Sequence, residues 1–338
     1  MTPREIVLEA VNHRPTGIIP YGIGIEAETW PKIDAYYGGR ENFPARETFL
    51  AGRGFDWRRG GETLPGNRFS DAFGVIWQQG NIFHIVEPAL KRPSLEGFRF
   101  PELVLDEEVP AIAQWCEENA HLFRTYNFGL AFFERGWALR GMENFLMDMA
   151  AEPAFVHELM ERLMELHLEA FDKILHLPLD SIRFGDDFGS QRGLLMGLRH
   201  WRTYLKPRLA RMYGKVRAAG KMVSIHSCGD NSEILGEMIE MGLQIFNPAQ
   251  PEPQDLAALK KKFGKDLTFE GGIGTQGALP FGTPEQVREE IRQARLVLGP
   301  GGGWIMETTK ALRPEVPVAN AVAAIETIIE EAHKGTPR

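Results

Sequence analysis

The sequence predicts a single α/β domain, residues 1–338, built as a (β/α)8 TIM barrel with an N-terminal insertion over the barrel mouth. Three observations carry this. From Asp180 onward, short apolar runs alternate in strict order with helical stretches. Along the whole chain about eight strands can be counted, each followed by a helix, with no break marking a second domain. Side chains able to do chemistry gather at the C-terminal ends of those strands, where the loops of such a barrel form one mouth.

Thr2-Pro3-Arg4-Glu5 is a capping box with proline at the first helical position, and Ile6, Val7, Ala10 and Val11 follow at helical spacing. Pro15 to Pro20 breaks that helix, and Ile18 to Ile25 reads as a strand that delivers Glu26 and Glu28 at its far end. Residues 30–80 read as an irregular insertion with a small hairpin around Asp71-Ala72-Phe73-Gly74-Val75-Ile76-Trp77. Ile82 to Val86 alternates weakly. A helix from Val109 to Phe123 carries Cys116 beside Trp115, where it serves packing. Phe128 to Phe133 is the next strand and ends in Glu134-Arg135-Gly136-Trp137. The helix from Pro153 to Leu175 has an apolar stripe at Val156, Leu159, Met160, Leu163, Leu166 and Phe171.

The alternation then becomes regular. Asp180 to Gly185 is a strand ending in Asp186-Asp187-Phe188-Gly189, and a helix runs from Arg199 to Ala219. The strand ending at His226 precedes a helix from Asn231 to Met241. A strand from Leu243 to Asn247 and a helix from Asp255 to Phe263 lead to a strand from Leu267 to Glu270. That strand runs into Gly271-Gly272-Ile273-Gly274, a loop expected to approach a ligand. Thr283 caps a helix to Leu298, Gly299 to Gly303 turns, Trp304 to Met306 is the last strand, and a helix from near Pro317 follows.

Composition excludes several classes. A net charge of −8 and only local Lys and Arg groupings argue against a nucleic-acid partner. Two cysteines, Cys116 and Cys228, are too few for a disulfide framework. No run approaches the ~20 apolar residues of a membrane span, and the opening residues lack a signal-peptide core, so the expected compartment is the cytoplasm. Neither glycine-rich stretch matches a Walker or dinucleotide fingerprint, and no Gly-x-Ser-x-Gly elbow supports serine hydrolysis.

The chemically richest stretch is Met222-Val223-Ser224-Ile225-His226-Ser227-Cys228-Gly229-Asp230. In extended backbone alternate side chains share a face, so His226 and Cys228 can reach one point. Imidazole and thiolate suit zinc, with further ligands from elsewhere. The plain alternative is a half-buried thiol beside a histidine bonded to backbone. Glu26, Glu134, Asp186, Asp187, Asp230, Asn247, Glu270, Glu307 and Lys310 are expected at the same mouth. So many carboxylates repel one another unless a cation offsets them. Taken singly, each acid is as readily explained by an ion pair with Arg135, Arg183 or Arg192.

These residues resemble the uroporphyrinogen decarboxylase superfamily, which also contains the corrinoid-linked methyltransferases. The likeness covers nearly the whole chain. It rests on the opening Thr-Pro-Arg-Glu helix, Asp71 to Trp77, Phe133-Glu134-Arg135-Gly136-Trp137, Asp186-Asp187-Phe188-Gly189-Ser190-Gln191, His226-Ser227-Cys228-Gly229-Asp230 and Gly282-Thr283-Pro284-Glu285-Gln286-Val287. True uroporphyrinogen decarboxylases carry arginines for the substrate carboxylates where this chain has Tyr21-Gly22-Ile23-Gly24-Ile25-Glu26. His226 and Cys228 match the zinc ligands of the methyltransferase branch, and Lys310 aligns with that branch's third ligand, a cysteine.

The resemblance implies methyl transfer involving a corrinoid co-substrate or a small methyl donor, assisted by zinc on His226 and Cys228; with Lys310 at the third position, one of Glu270 or Glu307 is expected to complete the set, since a carboxylate is an acceptable zinc ligand. Glu134, Asp187 or Glu270 would do acid–base work, Lys310 would compensate charge, and Glu26, Asp71, Asp186 and Asn247 would line the cofactor. It also implies a corrinoid-protein partner and a homodimer. One alternative is a decarboxylase of a porphyrinogen or smaller acid, with Asp187 or Asp71 stabilising a cationic intermediate and Lys310 binding carboxylate. Another is a non-catalytic subunit that binds a corrinoid or tetrapyrrole.

Overall fold

Thr2 opens the first helix as its sequence predicts. In a computed structural model describing residues 1–80 and 83–337, the Thr2 hydroxyl accepts the Glu5 N–H at 3.2 Å. The Glu5 carboxylate accepts the Thr2 N–H at 2.7 Å, closing the capping box on the helix Pro3–Val11. Ile6, Val7, Ala10 and Val11 are all buried.

The expected strand from Ile18 to Ile25 is not continuous. Pro20 has no N–H to give a ladder, and among the described residues the segment makes two isolated parallel bridges, Tyr21 to Met306 and Ile25 to Leu312. A helix, Trp30–Tyr37, and the strand β1 (Leu50–Gly54) then occupy part of the stretch read as an insertion. Leu-Ala-Gly-Arg-Gly lacks the apolar alternation that marks a strand, so only pairing with a neighbour reveals β1.

An antiparallel sheet of β2 (Thr63–Leu64), β3 (Arg68–Ser70), β4 (Ile76–Gln78) and β5 (His84–Glu87) follows, larger than the expected hairpin. Ile82, at the start of the weakly alternating run, lies outside the described residues. Asp71 ties this sheet to the body of the protein. Its Oδ1 accepts the N–H groups of Phe73 and Val75 at 2.9 Å each, and its Oδ2 pairs with the Arg135 guanidinium at 2.6 Å. The Trp77 indole donates to Oδ2 at 3.1 Å.

The helix Val109–Glu118 ends short of Phe123, and Cys116 is buried in it as packing. Phe123 instead begins β6 (Phe123–Phe128), which lies earlier than expected, and Phe133 opens a helix, Phe133–Arg140. Arg124, Thr125 and Asn127 disguise β6, while the apolar Phe128 to Phe133 mimics a strand. The helix Pro153–Ile174 buries its whole predicted stripe. After it come β7 (Ser181–Gly185), the small ribbon of β8 (Gly189–Ser190) and β9 (Gly193–Leu194), β10 (Met222–His226), β11 (Leu243–Ala249), β12 (Thr268–Ile273) and β13 (Trp304–Thr308).

The main sheet runs β1-β6-β7-β10-β11-β12-β13, and every neighbouring pair is parallel. Helical crossovers connect its strands from β6 onward, as parallel pairing requires. Its two edges approach each other. Tyr21, bridged to Met306 of β13, has its ring centroid 5.1 Å from that of Phe49, the residue before β1. The sheet is therefore curled.

β12 continues through Gly271-Gly272-Ile273, so that stretch is strand where a loop was expected. At Gly272, φ is +94°, and a Cβ would lie 2.5 Å from Leu298 Cδ1. The glycine therefore lets the helix Pro284–Leu298 close on the sheet. Among the described residues no helix is long and apolar enough to cross a membrane.

Candidate functional site

The site forms where β7 and β10 end side by side. His226 is paired in register with Gly185, and the Asp186 N–H donates to the His226 carbonyl at 2.8 Å. The loops that follow lock into each other. A Cβ on Gly229, where φ is +81°, would come within 2.3 Å of the Gly189 carbonyl carbon, so the two loops touch backbone to backbone. The Ser227 hydroxyl accepts the Phe188 N–H at 3.0 Å and donates to Asn231 Oδ1 at 3.1 Å. Asn231 Nδ2 in turn donates to the Ser227 and Cys228 carbonyls at 2.9 and 3.1 Å.

This interlock brings three donor atoms together. The Cys228 N–H donates to Asp187 Oδ1 at 2.7 Å, Cys228 Sγ lies 3.6 Å from His226 Nε2, and His226 Nε2 lies 4.0 Å from Asp187 Oδ1. One nitrogen, one sulfur and one carboxylate oxygen thus lie within 4.8 Å of one another. Lys310 Nζ lies 3.4 Å from His226 Nε2. A cavity of about 370 Å³ opens here, lined by Asp187, Gln191, Cys228, Gln250, Gln276 and Lys310 among others.

Burial governs the charges. It pushes the Cys228 thiol up to about 11, with the Asp187 charge adding to the effect and Lys310 opposing it. Burial and then the Lys310 charge hold His226 below its ordinary value, so the ring is neutral near pH 7. Burial, Asp187 and Asp186 hold the Glu134 carboxyl well above the usual carboxylate range. The acid form of Glu134 is therefore favoured next to Asp187.

A sequence model described as uroporphyrinogen decarboxylase matches residues 128–331, a stretch that holds the whole cluster. The chain belongs to the uroporphyrinogen decarboxylase family. A curated uroporphyrinogen decarboxylase from Rhodococcus jostii (strain RHA1) is 26% identical over 238 residues, covering 68% of this chain and 65% of that protein. The chain thus spans a little under two thirds of that relative's length. A solved methyltransferase from Methanosarcina mazei shares the fold, with a TM-score of 0.71 at 16% identity, over 98% of this chain and 99% of that one.

Within this decarboxylase-family fold the expected site residues divide. Asp187, His226, Cys228 and Lys310 converge, with Glu134 behind them. The carboxylate that joins His226 and Cys228 is Asp187, and not Glu270 or Glu307 as expected. Glu270 is held by Arg183 and by Asn247 Nδ2, the latter at 3.0 Å. Glu307 is half-buried and packs over Gly22, and desolvation with the neighbouring Glu270 charge pushes it up to about 8.

The four residues expected to line a cofactor each have partners within the chain. Asp71 is buried, with its oxygens taken by Arg135, Trp77 and backbone N–H groups. Asp186 is buried and caps the helix Phe133–Arg140, accepting the N–H groups of Phe133 and Glu134 at 3.0 and 2.7 Å. Glu26 pairs with Arg313 at 3.3 Å. Asn247 bonds His226 and Glu270. Sequence reading missed Ser227, Asn231, Gln250 and Gln276. Only Asn231, three residues beyond Cys228, had a readable signal, as a polar residue able to fold back on the loop.

Proposed function

We propose that this chain is a methyl-transfer enzyme that moves a methyl group between a small methoxy-type substrate and a corrinoid, assisted by zinc on His226, Cys228 and Asp187. The observation that supports the reading is the gathering of imidazole nitrogen, thiol sulfur and carboxylate oxygen within 4.8 Å, with Asp187 and Cys228 lining one cavity. Three protein ligands and an open position are the usual arrangement of a catalytic zinc site, and N, S and O donors suit that ion. The cavity, at about 370 Å³, sits at the small end of the roughly 300–1,000 Å³ range of small-molecule sites. Residues 18–25 are read as the eighth stave of a closed barrel, on the support of the Tyr21 and Ile25 bridges.

Bound zinc would supply a Lewis acid that polarises the substrate oxygen. Glu134, held in its acid form, donates its proton to that oxygen as the carbon–oxygen bond breaks and the bonding pair stays on oxygen. The methyl group would pass to the corrinoid, which as co-substrate would supply the electron pair for the new bond, and the substrate would leave as its alcohol. Lys310 offsets the negative charge that Asp187 and Glu134 bring to the site.

A second reading, decarboxylation of a small carboxylic acid, draws on the family match and on Lys310 as a carboxylate anchor. Purified protein incubated with cob(I)alamin and small methoxy compounds, and separately with small carboxylic acids, distinguishes the readings. A cobalamin absorbance change supports methyl transfer, and carbon dioxide release supports decarboxylation. Tight corrinoid binding without either signal assigns the chain to the non-catalytic alternative.

A further inference from the structure

In a neutral imidazole one ring nitrogen carries a proton and the other a lone pair. Which is which follows from a chain of contacts reaching away from the cavity. Glu270 is buried and ion-paired with Arg183, whose Nε also donates to the Ser224 hydroxyl at 3.0 Å. A carboxylate only accepts hydrogen bonds, so the Asn247 atom 3.0 Å from Glu270 Oε1 must be its amide nitrogen. The other end of that amide, the oxygen, then faces His226 Nδ1 at 2.5 Å. Nδ1 must carry the proton. A second contact agrees: Lys310 Nζ, which only donates, lies 3.4 Å from Nε2.

We infer that Arg183, Glu270 and Asn247 are positioning residues that fix the tautomer of His226, proton on Nδ1 and lone pair on Nε2 toward Cys228 and Asp187. Of the three, Asn247 touches the cluster, and it does so at His226 Nδ1, the ring nitrogen that is not shared with Cys228 and Asp187. Sheet geometry builds the chain: Ser224 pairs in register with Arg183, and His226 with Asn247, across β7, β10 and β11. The polarity originates at Arg183, because its guanidinium dictates that an oxygen, never an N–H, faces it from position 270. The consequence for metal affinity rests on the zinc reading above, while the tautomer itself does not.

The test is nitrogen NMR of the histidine rings in metal-free protein at neutral pH, with His226 assigned by the signals lost in His226→Gln. The wild type is expected to show a protonated Nδ1 and an unprotonated Nε2. In Glu270→Gln, the glutamine must turn its oxygen to Arg183 and its NH2 to Asn247. Asn247 then flips and presents NH2 to the ring, so the His226 signals exchange to an Nε2–H pattern. Adding Asn247→Asp restores an oxygen toward Nδ1, and the double variant returns to the wild-type pattern.

A wild-type ring protonated on Nε2, or a ring unchanged in Glu270→Gln, overturns the inference. Zinc affinity read on the same proteins is expected to fall about 10- to 100-fold in Glu270→Gln and to recover in the double variant. If the tautomer exchanges while no form binds zinc, the inference about the relay stands and the zinc reading fails.

Discussion

Lys310 Nζ stands 3.4 Å from the Nε2 atom of His226, so an ammonium and a metal ion would compete for one lone pair. A unit charge a few ångströms away costs a divalent ion on the order of 1–2 kcal/mol at a solvated rim. Lys310→Gln is therefore expected to tighten zinc binding about tenfold, read by competition with a chromophoric chelator. Unchanged or weaker binding would show that the lysine does not oppose the ion.

Gly229 carries the interlock of the two loops. Its φ of +81° disfavours any side chain, and a Cβ would meet the Gly189 backbone at 2.3 Å. Gly229→Ala should lower stability by roughly 1–3 kcal/mol and separate Cys228 from Asp187. Urea unfolding reads the first effect and metal binding the second. A variant of wild-type stability that binds metal normally would contradict the placement of these loops.

Much of this architecture was legible before any coordinate. Thr2, Asp255 and Thr283 announce their helices because an N-cap is a local device, readable within four residues. The nearness of His226 and Cys228 was expected from strand alternation, but β10 ends at His226 and Cys228 reaches it from the loop beyond. β1 was not legible, since Leu50 to Gly54 form a strand only by pairing with β6. Asp187 was foreseen at the mouth, but its choice over Glu270 and Glu307 depends on non-local partners. Arg183 claims Glu270 from another strand, and that contact leaves no mark in the spacing of either residue.

The Asp71–Arg135 pair anchors the antiparallel sheet, and both side chains are almost fully buried, at 0% and 1% exposed. Removing one charge leaves the other uncompensated in the interior. Asp71→Asn is expected to cost about 3–5 kcal/mol in equilibrium unfolding. A loss below 1 kcal/mol would place the pair in a wetter setting than its burial indicates.

His167 gives the fold an acid sensitivity separate from the site. It is buried among Phe128, Phe171 and Phe184, and burial lowers its pKa from 6.5 to about 4. Between those values the unfolded chain takes up a proton that the folded ring refuses. Its contribution is thus complete above pH 6.5 and is lost as pH falls toward 4, by at most about 3 kcal/mol. His167→Phe should flatten the stability profile across that window, as measured by denaturant midpoints. Equal slopes in both proteins would contradict the buried neutral ring.

Cobalt(II) titration tests the three-donor site most directly, because a cobalt–thiolate bond has an absorption band that oxygen and nitrogen ligands lack. The wild type is expected to bind one equivalent with that band. Cys228→Ser should lose the band, and Asp187→Asn and His226→Gln should bind more weakly. Absence of the band in the wild type, or its persistence in Cys228→Ser, would contradict a metal centre built from His226, Cys228 and Asp187.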